Sequence, residues 1–243
     1  MHATDCRNCP LRDLELFRDF SEEELGFMEG FKAGEISVDP GTTLLIEESN
    51  SPQLYTVLSG MGVRYKTLEN GRRQVLNFIF PGDFVGLQAG VLGEMRHSVE
   101  ATTKMSLCIF RRDDLWRLFR TQPTLAYDVT WISAAEEHFL GETIATLGQR
   151  DATQRIAWAL YRVYQRILAS GLGKKGKVPF PFRQQDLADS LGLSLVHTNK
   201  VLARMRLKSL LSWSDGVLCI DDVEALAEVA LLDLEPIEQR PLL

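Results

Sequence analysis

Short runs of β-type residues, separated by turns that glycine marks, fill the chain from residue 36 to about residue 111. The predicted strands cover residues 43–46, 54–58, 63–67, 74–79, 99–101 and 106–110. Asn70-Gly71 lies between two of them and is a hairpin turn signal. Strands this short and this regularly spaced predict a small barrel or roll.

Helical periodicity begins near Asp113, and residues 124–147 carry one long apolar stripe that Glu136 interrupts. A helix of about 24 residues is longer than a globular domain ordinarily needs, and it suits a dimer seam. The alternative is a helix that packs only against its own roll. The residues predicted for the dimer interface are Leu125, Val129, Ile132, Phe139, Leu140, Ile144 and Leu147.

Residues 183–211 predict two short helices joined by a tight turn. Gly192 permits a left-handed backbone between them, and Ser194 is placed to cap the second helix. The buried stripe predicted for that second helix consists of Thr198, Val201, Leu202 and Met205. The side chains turned outward are then Val196, Asn199, Lys200 and Arg204. An exposed face with an amide and two cations is typical of a helix-turn-helix recognition helix, whereas the alternative is an ordinary helical pair with a solvated face.

The segments around this helix pair extend the prediction. Residues 211–220 predict two short strands around Asp215-Gly216, which form the wing of a winged helix-turn-helix. Residues 152–167 predict a further helix that Asp151 caps, and residues 171–177 predict a flexible basic loop. The chain after Leu234 is predicted to be disordered.

The formal net charge of −6 is unevenly distributed. Residues 149–213 contain twelve lysines and arginines but only three aspartates, so the rest of the chain carries a large negative surplus. A basic segment beside an acidic body is typical of a DNA-binding domain attached to a domain with another role.

Composition restricts the class of protein to which the chain can belong. A chain of 243 residues with 45% hydrophobic and 25% charged residues predicts a soluble globular protein of one or two domains. The sequence has no apolar run of about 18 residues and no apolar signal-peptide core near its first residue, so we expect no membrane span and a cytoplasmic location. Paired carboxylates, a phosphate loop and a nucleophile triad do not stand out, and we therefore expect no enzyme.

The order of roll, long helix and winged helix-turn-helix resembles the CRP/FNR family of bacterial transcription regulators over about residues 15–232. The segments that carry the resemblance are PGTTLL (40–45), YTVLSG (55–60), PGDFVG (81–86) and DLADSLGLSLVHTNKVLARM (186–205). It implies an α+β fold with a double-stranded, jelly-roll-like β-roll, and a homodimer bound to an inverted repeat in double-stranded DNA. It also implies an effector sensed by the N-terminal domain, and RNA polymerase as a partner.

The resemblance divides the chain into functional parts. Residues 1–120 form the sensor domain, 121–148 the dimerisation helix, 149–234 the winged helix-turn-helix domain and 235–243 a tail. Base reading falls to Val196, Asn199 and Lys200, although many members have an acidic residue at the first of these positions and an arginine at the third. Chemically, Lys200 suits guanine, Asn199 suits adenine and Val196 suits a thymine methyl group.

Phosphate contacts are predicted for residues around this reading position, because such contacts orient a protein on DNA without reading its sequence. The residues are Ser194, His197, Thr198, Arg204, Lys174, Lys175 and Arg183. For His197 the alternative is a neutral, partly buried histidine.

The cyclic-nucleotide branch of the family holds ribose with a Gly-Glu pair and phosphate with an Arg-Ser or Arg-Thr pair. Here Gly86 is followed by Leu87, and His97 separates Arg96 from Ser98. Each change removes a charge-assisted hydrogen bond, so cyclic AMP is not the expected effector.

The oxygen-sensing branch holds an iron–sulfur cluster with four cysteines, and three of these positions are matched here by Cys6, Cys9 and Cys108. Glu15 occupies the remaining position. Clusters are normally bound by four thiolates, so one completed by Glu15, His2 or a small molecule would be labile. Zinc, a thiol switch and plain thiols are the other interpretations. Cys219 in the wing is predicted to be a packing residue.

A second functional hypothesis follows from the Cys6–Cys9 pair. These residues would form a redox-active dithiol or a metal site in a protein of a different class. A C-x2-C pair lowers a thiol pKa best at a helix N-terminus in a βαβ setting, which the surrounding sequence does not provide.

Overall fold

Two four-stranded antiparallel sheets form the N-terminal β-roll in the computed structural model, which describes residues 4–234, 236 and 238–243. The strands are β1 Lys32–Val38, β2 Thr43–Leu45, β3 Gln53–Ser59, β4 Gly62–Thr67, β5 Arg73–Ile79, β6 Phe84–Val85, β7 Ser98–Ala101 and β8 Met105–Arg111. Their order is β1-β8-β3-β6 in one sheet and β2-β7-β4-β5 in the other. The predicted double-stranded roll is confirmed, and five of the six predicted strands lie within these elements, while the strand predicted for residues 43–46 ends one residue earlier. The sequence missed β1, whose apolar residues do not alternate regularly, and β6, which has only two residues.

Alternation along β3 explains how the roll is packed on both sides. Tyr55 and Val57 point into the roll, while Leu54 packs on the outer side of the same sheet. Three helices cover that outer side, and they are α1 Glu22–Phe31, α3 Leu115–Thr121 and the start of α4 Pro123–Gln149. A short helix, α2 Leu87–Leu92, follows β6. A capping box begins α1, since the side chains of Ser21 and Glu24 each accept a hydrogen bond from the other's backbone amide.

The 27 residues of α4 connect the roll with the C-terminal domain. Its first half packs on the roll through Leu125 and Val129, and its second half packs on the C-terminal domain through Phe139 and Leu147. Among the helices of the described residues, none is long and apolar enough to cross a membrane.

The C-terminal domain surrounds one amphipathic helix, α5 Ala152–Ala169, of which nine residues are buried. Its other elements are β9 Lys177–Pro179, α6 Gln184–Leu191, α7 Leu195–Leu207, β10 Leu211–Ser214, β11 Val217–Ile220 and α8 Val223–Ala230. The predicted wing is confirmed as the β10–β11 hairpin, whose turn residues Asp215 and Gly216 both have positive φ. The end of the predicted flexible loop instead pairs with β11 as strand β9.

Four phenylalanines form a contact between the two domains that we call the interdomain seam: Phe78, Phe80, Phe180 and Phe182. The ring centroids of Phe78 and Phe182 lie 4.5 Å apart, and those of Phe180 and Phe182 lie 5.1 Å apart. All four side chains are at most 4% exposed. The roll and the C-terminal domain therefore share one continuous apolar core.

The prediction of a disordered tail is wrong for the residues near its end. Arg240 forms a bridge with Phe17, and Leu242 and Leu243 are only 4% exposed because they pack against the N-terminal domain. Residues 235 and 237 of the predicted tail lie outside the described residues. Asp83, which pairs with Arg240, and Leu11 and Phe17, which pack with Leu242, lie more than 150 positions away in the chain, so local composition cannot reveal these contacts.

Candidate nucleic-acid interface

The turn between α6 and α7 has the geometry that the sequence predicts. Gly192 adopts a left-handed conformation with φ of 64°, and the Leu193 amide donates to the carbonyl of Ala188 at 3.0 Å. The Ser194 hydroxyl then accepts from the amide of His197 at 3.2 Å, which caps α7. These local bonds fix the angle at which α7 leaves the turn.

Burial of one side of α7 determines which of its side chains face solvent. The stripe predicted for its inner side is confirmed, because Thr198, Val201, Leu202 and Met205 are all buried. The opposite side carries what we call the reading face, Val196, Asn199 and Lys200, which are all exposed. His197 and Arg204 are exposed next to it, so the alternative of a partly buried His197 is not supported.

Thr198 does not face solvent, and the prediction that it contacts phosphate is wrong. Its side chain is 0% exposed, and its hydroxyl has no hydrogen-bond partner among the described residues. The residue lies in the apolar stripe, so the helical period that places the reading face outward places Thr198 inward. The apolar stripe in the sequence already included Thr198, and this was the signal against a phosphate contact.

Arg183 precedes α6, and its exposed side chain is paired with Asp186 of that helix. Its guanidinium donates to both carboxylate oxygens of Asp186, with the shorter contact at 2.7 Å, and this hydrogen bond raises the pKa of Arg183. Arg73 of β5 lies 3.6 Å from the same buried carboxylate. Arg183 is thus already paired, whereas Lys174 and Lys175 are exposed in the loop before β9.

The long helix exposes fewer apolar residues than a dimer seam along its whole length requires. Leu125 and Val129 are at most 3% exposed within a single chain, so their prediction as interface residues is wrong. Ile132, Phe139 and Leu147 also pack against the chain's own core, with Phe139 stacked on Trp158. Leu140 is 39% exposed and Ile144 is 70% exposed, and Tyr127, which the stripe did not include, is exposed as well.

Two parts of the chain match known families. Residues 35–122 match "Cyclic nucleotide-binding domain" and residues 154–229 match "Crp-like helix-turn-helix domain". The "Nitrogen fixation regulation protein FixK" of Rhizobium meliloti is 31% identical over 179 residues, which are 73% of this chain and 77% of that protein. The chain belongs to the CRP/FNR family of transcription regulators. Its relatives are regulators, which confirms that it is not an enzyme.

Other CRP/FNR proteins match over most of their length. The protein with the same name in Bradyrhizobium diazoefficiens is 28% identical over 225 residues, covering 91% of this chain and 93% of that protein. The solved structure "The Structure of FixK2 from Bradyrhizobium japonicum" has a TM-score of 0.71 at 23% identity and covers 80% of this chain and 96% of that chain. This likeness confirms the predicted α+β fold class.

The cyclic-nucleotide signature of the CRP/FNR family is broken in the structure as well as in the sequence. Arg96 pairs with Glu94 at the surface, while the Ser98 hydroxyl accepts from the amide of Glu47 in the interior. His97 between them is 6% exposed, and burial lowers its pKa to about 3, so its imidazole is neutral. The arginine and the serine that would hold a phosphate therefore do not converge.

The three cysteines that match the oxygen-sensing branch do not fit an iron–sulfur cluster. Burial raises the pKa of Cys108 to about 12, and it also raises the pKa of Cys6 and of Cys9, so these residues are thiols in the metal-free protein. The ammonium group of Lys32 works to lower the pKa of Cys108, but burial outweighs it. In the described part of the chain no three histidine, cysteine or acidic side chains form a group that could hold a metal, and His2 lies outside that part. The dithiol hypothesis is not favoured either.

Proposed function

We propose that this regulator binds an inverted-repeat promoter site as a homodimer and reads bases with α7. The observation that carries the proposal is the reading face itself, which is exposed on a helix whose opposite side is fixed in the core. Two such helices related by a twofold axis would enter major grooves about 34 Å apart.

The chemistry of the reading face favours particular bases. The ammonium group of Lys200 can donate to guanine O6 and N7, and the amide of Asn199 can pair with adenine. Val196 is 65% exposed and offers methyl groups that suit a thymine methyl. Phosphate contacts would come from exposed groups around this face, namely Ser194, His197, Arg204, Lys174 and Lys175, with a smaller role for the paired Arg183.

Dimerisation would use the exposed side of α4. Leu140 and Ile144 lie one helical turn apart and are exposed together near the C-terminal half of the helix. This dimer interface would be shorter than the one that the apolar stripe of the sequence predicts. Leu125 and Val129 would stay in the core of their own chain. In this scheme residues 1–120 sense an effector, 121–148 dimerise and 149–234 bind DNA, and contact with RNA polymerase stays a prediction.

Selection from a pool of duplexes with random sequence would test the proposal. The full-length protein should enrich two half-sites with dyad symmetry, and the binding constant should fall steeply with salt because neutralised phosphates release counterions. Val196→Ala, Asn199→Ala and Lys200→Ala should each change the enriched base at one position of each half-site. Enrichment of an unsymmetrical sequence would contradict the dimer, and binding that ignores both salt and sequence would contradict DNA recognition itself.

A further inference from the structure

We propose that the described residues after α8, 231–234, 236 and 238–243, act as a strap that holds the DNA-binding domain in one orientation against the sensor domain of the same chain. This inference rests on the proposed function only where it concerns DNA affinity. The strap begins where α8 ends and finishes on the first residues of the N-terminal domain.

The start of the strap is fixed to the junction of α4 and α5. The guanidinium of Arg150 donates to the carbonyl of Ala230 at 3.0 Å, to that of Leu231 at 3.4 Å and to the hydroxyl of Thr146. Leu231 itself has a φ of 54°, which turns the chain away from α8. This end therefore moves with the DNA-binding domain.

The far end of the strap is bound to the sensor domain. The Arg240 amide donates to the carbonyl of Leu16 at 2.8 Å, and the Arg18 amide donates to the carbonyl of Arg240 at 3.0 Å. Leu242 packs in a cluster with Leu11 and Phe17. Leu243 packs with the core on the outer side of the roll, and its carbonyl accepts from the hydroxyl of Thr56.

One buried carboxylate joins the strap, the DNA-binding domain and the roll. Asp83 lies between β5 and β6 and is 7% exposed. Arg166 of α5 donates to both of its oxygens at 2.7 Å, and Arg240 of the strap donates to one of them at 3.0 Å. Burial works to raise the pKa of Asp83, but the two arginines outweigh it and lower the pKa.

The described strap residues between the two ends line one side of a cavity of about 590 Å³. Trp131 and Phe139 of α4, Arg162 of α5 and Leu232 of the strap contribute to its walls. The strap therefore acts mainly through its two fixed ends. Such a tether limits rotation of the DNA-binding domain about the short link between α4 and α5.

In this orientation the reading face stays open, since Val196, Asn199 and Lys200 are exposed and the sensor domain does not cover them. The strap therefore preorganises a DNA-competent arrangement. Preorganisation improves binding because less orientational freedom is lost in the complex. Removal of the strap should therefore weaken operator binding, by about five- to tenfold, which is the lower range of ordinary coupling between sites.

Hydrogen exchange of the full-length protein without DNA tests the strap directly. Deletion of residues 238–243 should increase exchange at residues 78–80 and 180–182, which contain the interdomain seam, and not only at residues 11–18, which the strap covers. Arg240→Ala should give a smaller change in the same direction. Glu238→Ala is the control substitution, because Glu238 is an exposed strap residue and its change leaves the contacts of Arg240, Leu242 and Leu243 in place.

Operator affinity, measured by fluorescence anisotropy on the selected sequence, completes the test. Increased exchange at the seam together with weaker binding supports the strap. Increased exchange confined to residues 11–18 would show that the segment stabilises its docking site alone, and stronger binding after deletion would show that it holds an unproductive orientation. If the intact protein selects no operator, the proposed function fails while the exchange comparison still decides whether the strap exists.

Discussion

The reading face of α7 and the interdomain seam differ in the range of the contacts that form them. The reading face consists of exposed residues on one helix, and its direction follows from four buried residues on the same helix. The seam joins β5 with the segment before α6, about a hundred positions later in the chain. The direction of the reading face is thus specified by local sequence, whereas the position of its helix in the molecule is specified by tertiary contacts.

The two regions should also differ in how they tolerate substitution. An exposed side chain such as Lys200 can be shortened at little cost to folding, so its loss affects binding alone. The four phenylalanines of the seam are buried, and Arg240 of the strap pairs with the buried Asp83, so their loss should affect folding and domain placement together. Substitutions in the reading face and substitutions in the seam or strap should therefore separate DNA contact from domain placement.

The largest effect is expected at Asp83. Asp83→Ala leaves the guanidinium groups of Arg166 and Arg240 without the carboxylate that pairs with them. Breaking a buried ion pair from one side costs about 3–5 kcal/mol. Urea unfolding should show a loss of that size, whereas Asp39→Ala, at an exposed aspartate, should leave the free energy of unfolding nearly unchanged. Equal effects of the two substitutions would contradict the role of the buried pair.

The same carboxylate should contribute to acid sensitivity. The pKa of Asp83 is lowered in the folded protein, so its contribution is fully present above the ordinary aspartate pKa of about 4 and is lost as the pH falls through the lowered value. Unfolding measured between neutral pH and about pH 3 should therefore be less steeply pH-dependent in Asp83→Ala than in the native sequence.

How much of the structure the sequence predicts depends on how far apart the interacting residues lie in the chain. The turn at Gly192, the cap at Ser194 and the stripe through Val201 all depend on neighbours within a few positions, and the structure confirms them. The cluster of Asp83, Arg166 and Arg240 has no local signature, because each member is an isolated charge until the fold brings them together. Similarly, the stripe of α4 marks its apolar residues without saying which of them the roll covers.

Substitutions of Lys200 and Lys174 should distinguish base reading from contact with phosphate. Lys200→Ala should reduce discrimination at one position of the half-site by about 1–3 kcal/mol. Lys174→Ala should weaken all duplexes alike and lower the slope of log affinity against log salt by about 1. Anisotropy titrations on the selected operator and on single-base variants, at several salt concentrations, measure both quantities. A uniform loss for Lys200→Ala would place that lysine with the phosphate contacts.

Gly192→Ala should weaken the turn that directs α7. A Cβ atom at this position would meet no atom within 4 Å, so the cost comes from the backbone alone. A left-handed conformation costs a residue with a Cβ roughly 1–2 kcal/mol. Gly148→Ala is the matched control, since that glycine lies in α4 with equally open space and without a positive φ. Thermal unfolding should show a lower midpoint for Gly192→Ala and no decrease for the control.

Thr198→Val should give the smallest change in stability. It should also distinguish the buried side of α7 from the reading face on the opposite side. The threonine hydroxyl is buried without a partner among the described residues, and such a group costs about 1 kcal/mol or more. Valine keeps the shape and removes the hydroxyl, so the protein should become more stable by about 1 kcal/mol. Operator affinity and its salt dependence should stay unchanged, because the residue lies on the inner side of α7. Loss of affinity without loss of stability would instead return Thr198 to the DNA contacts.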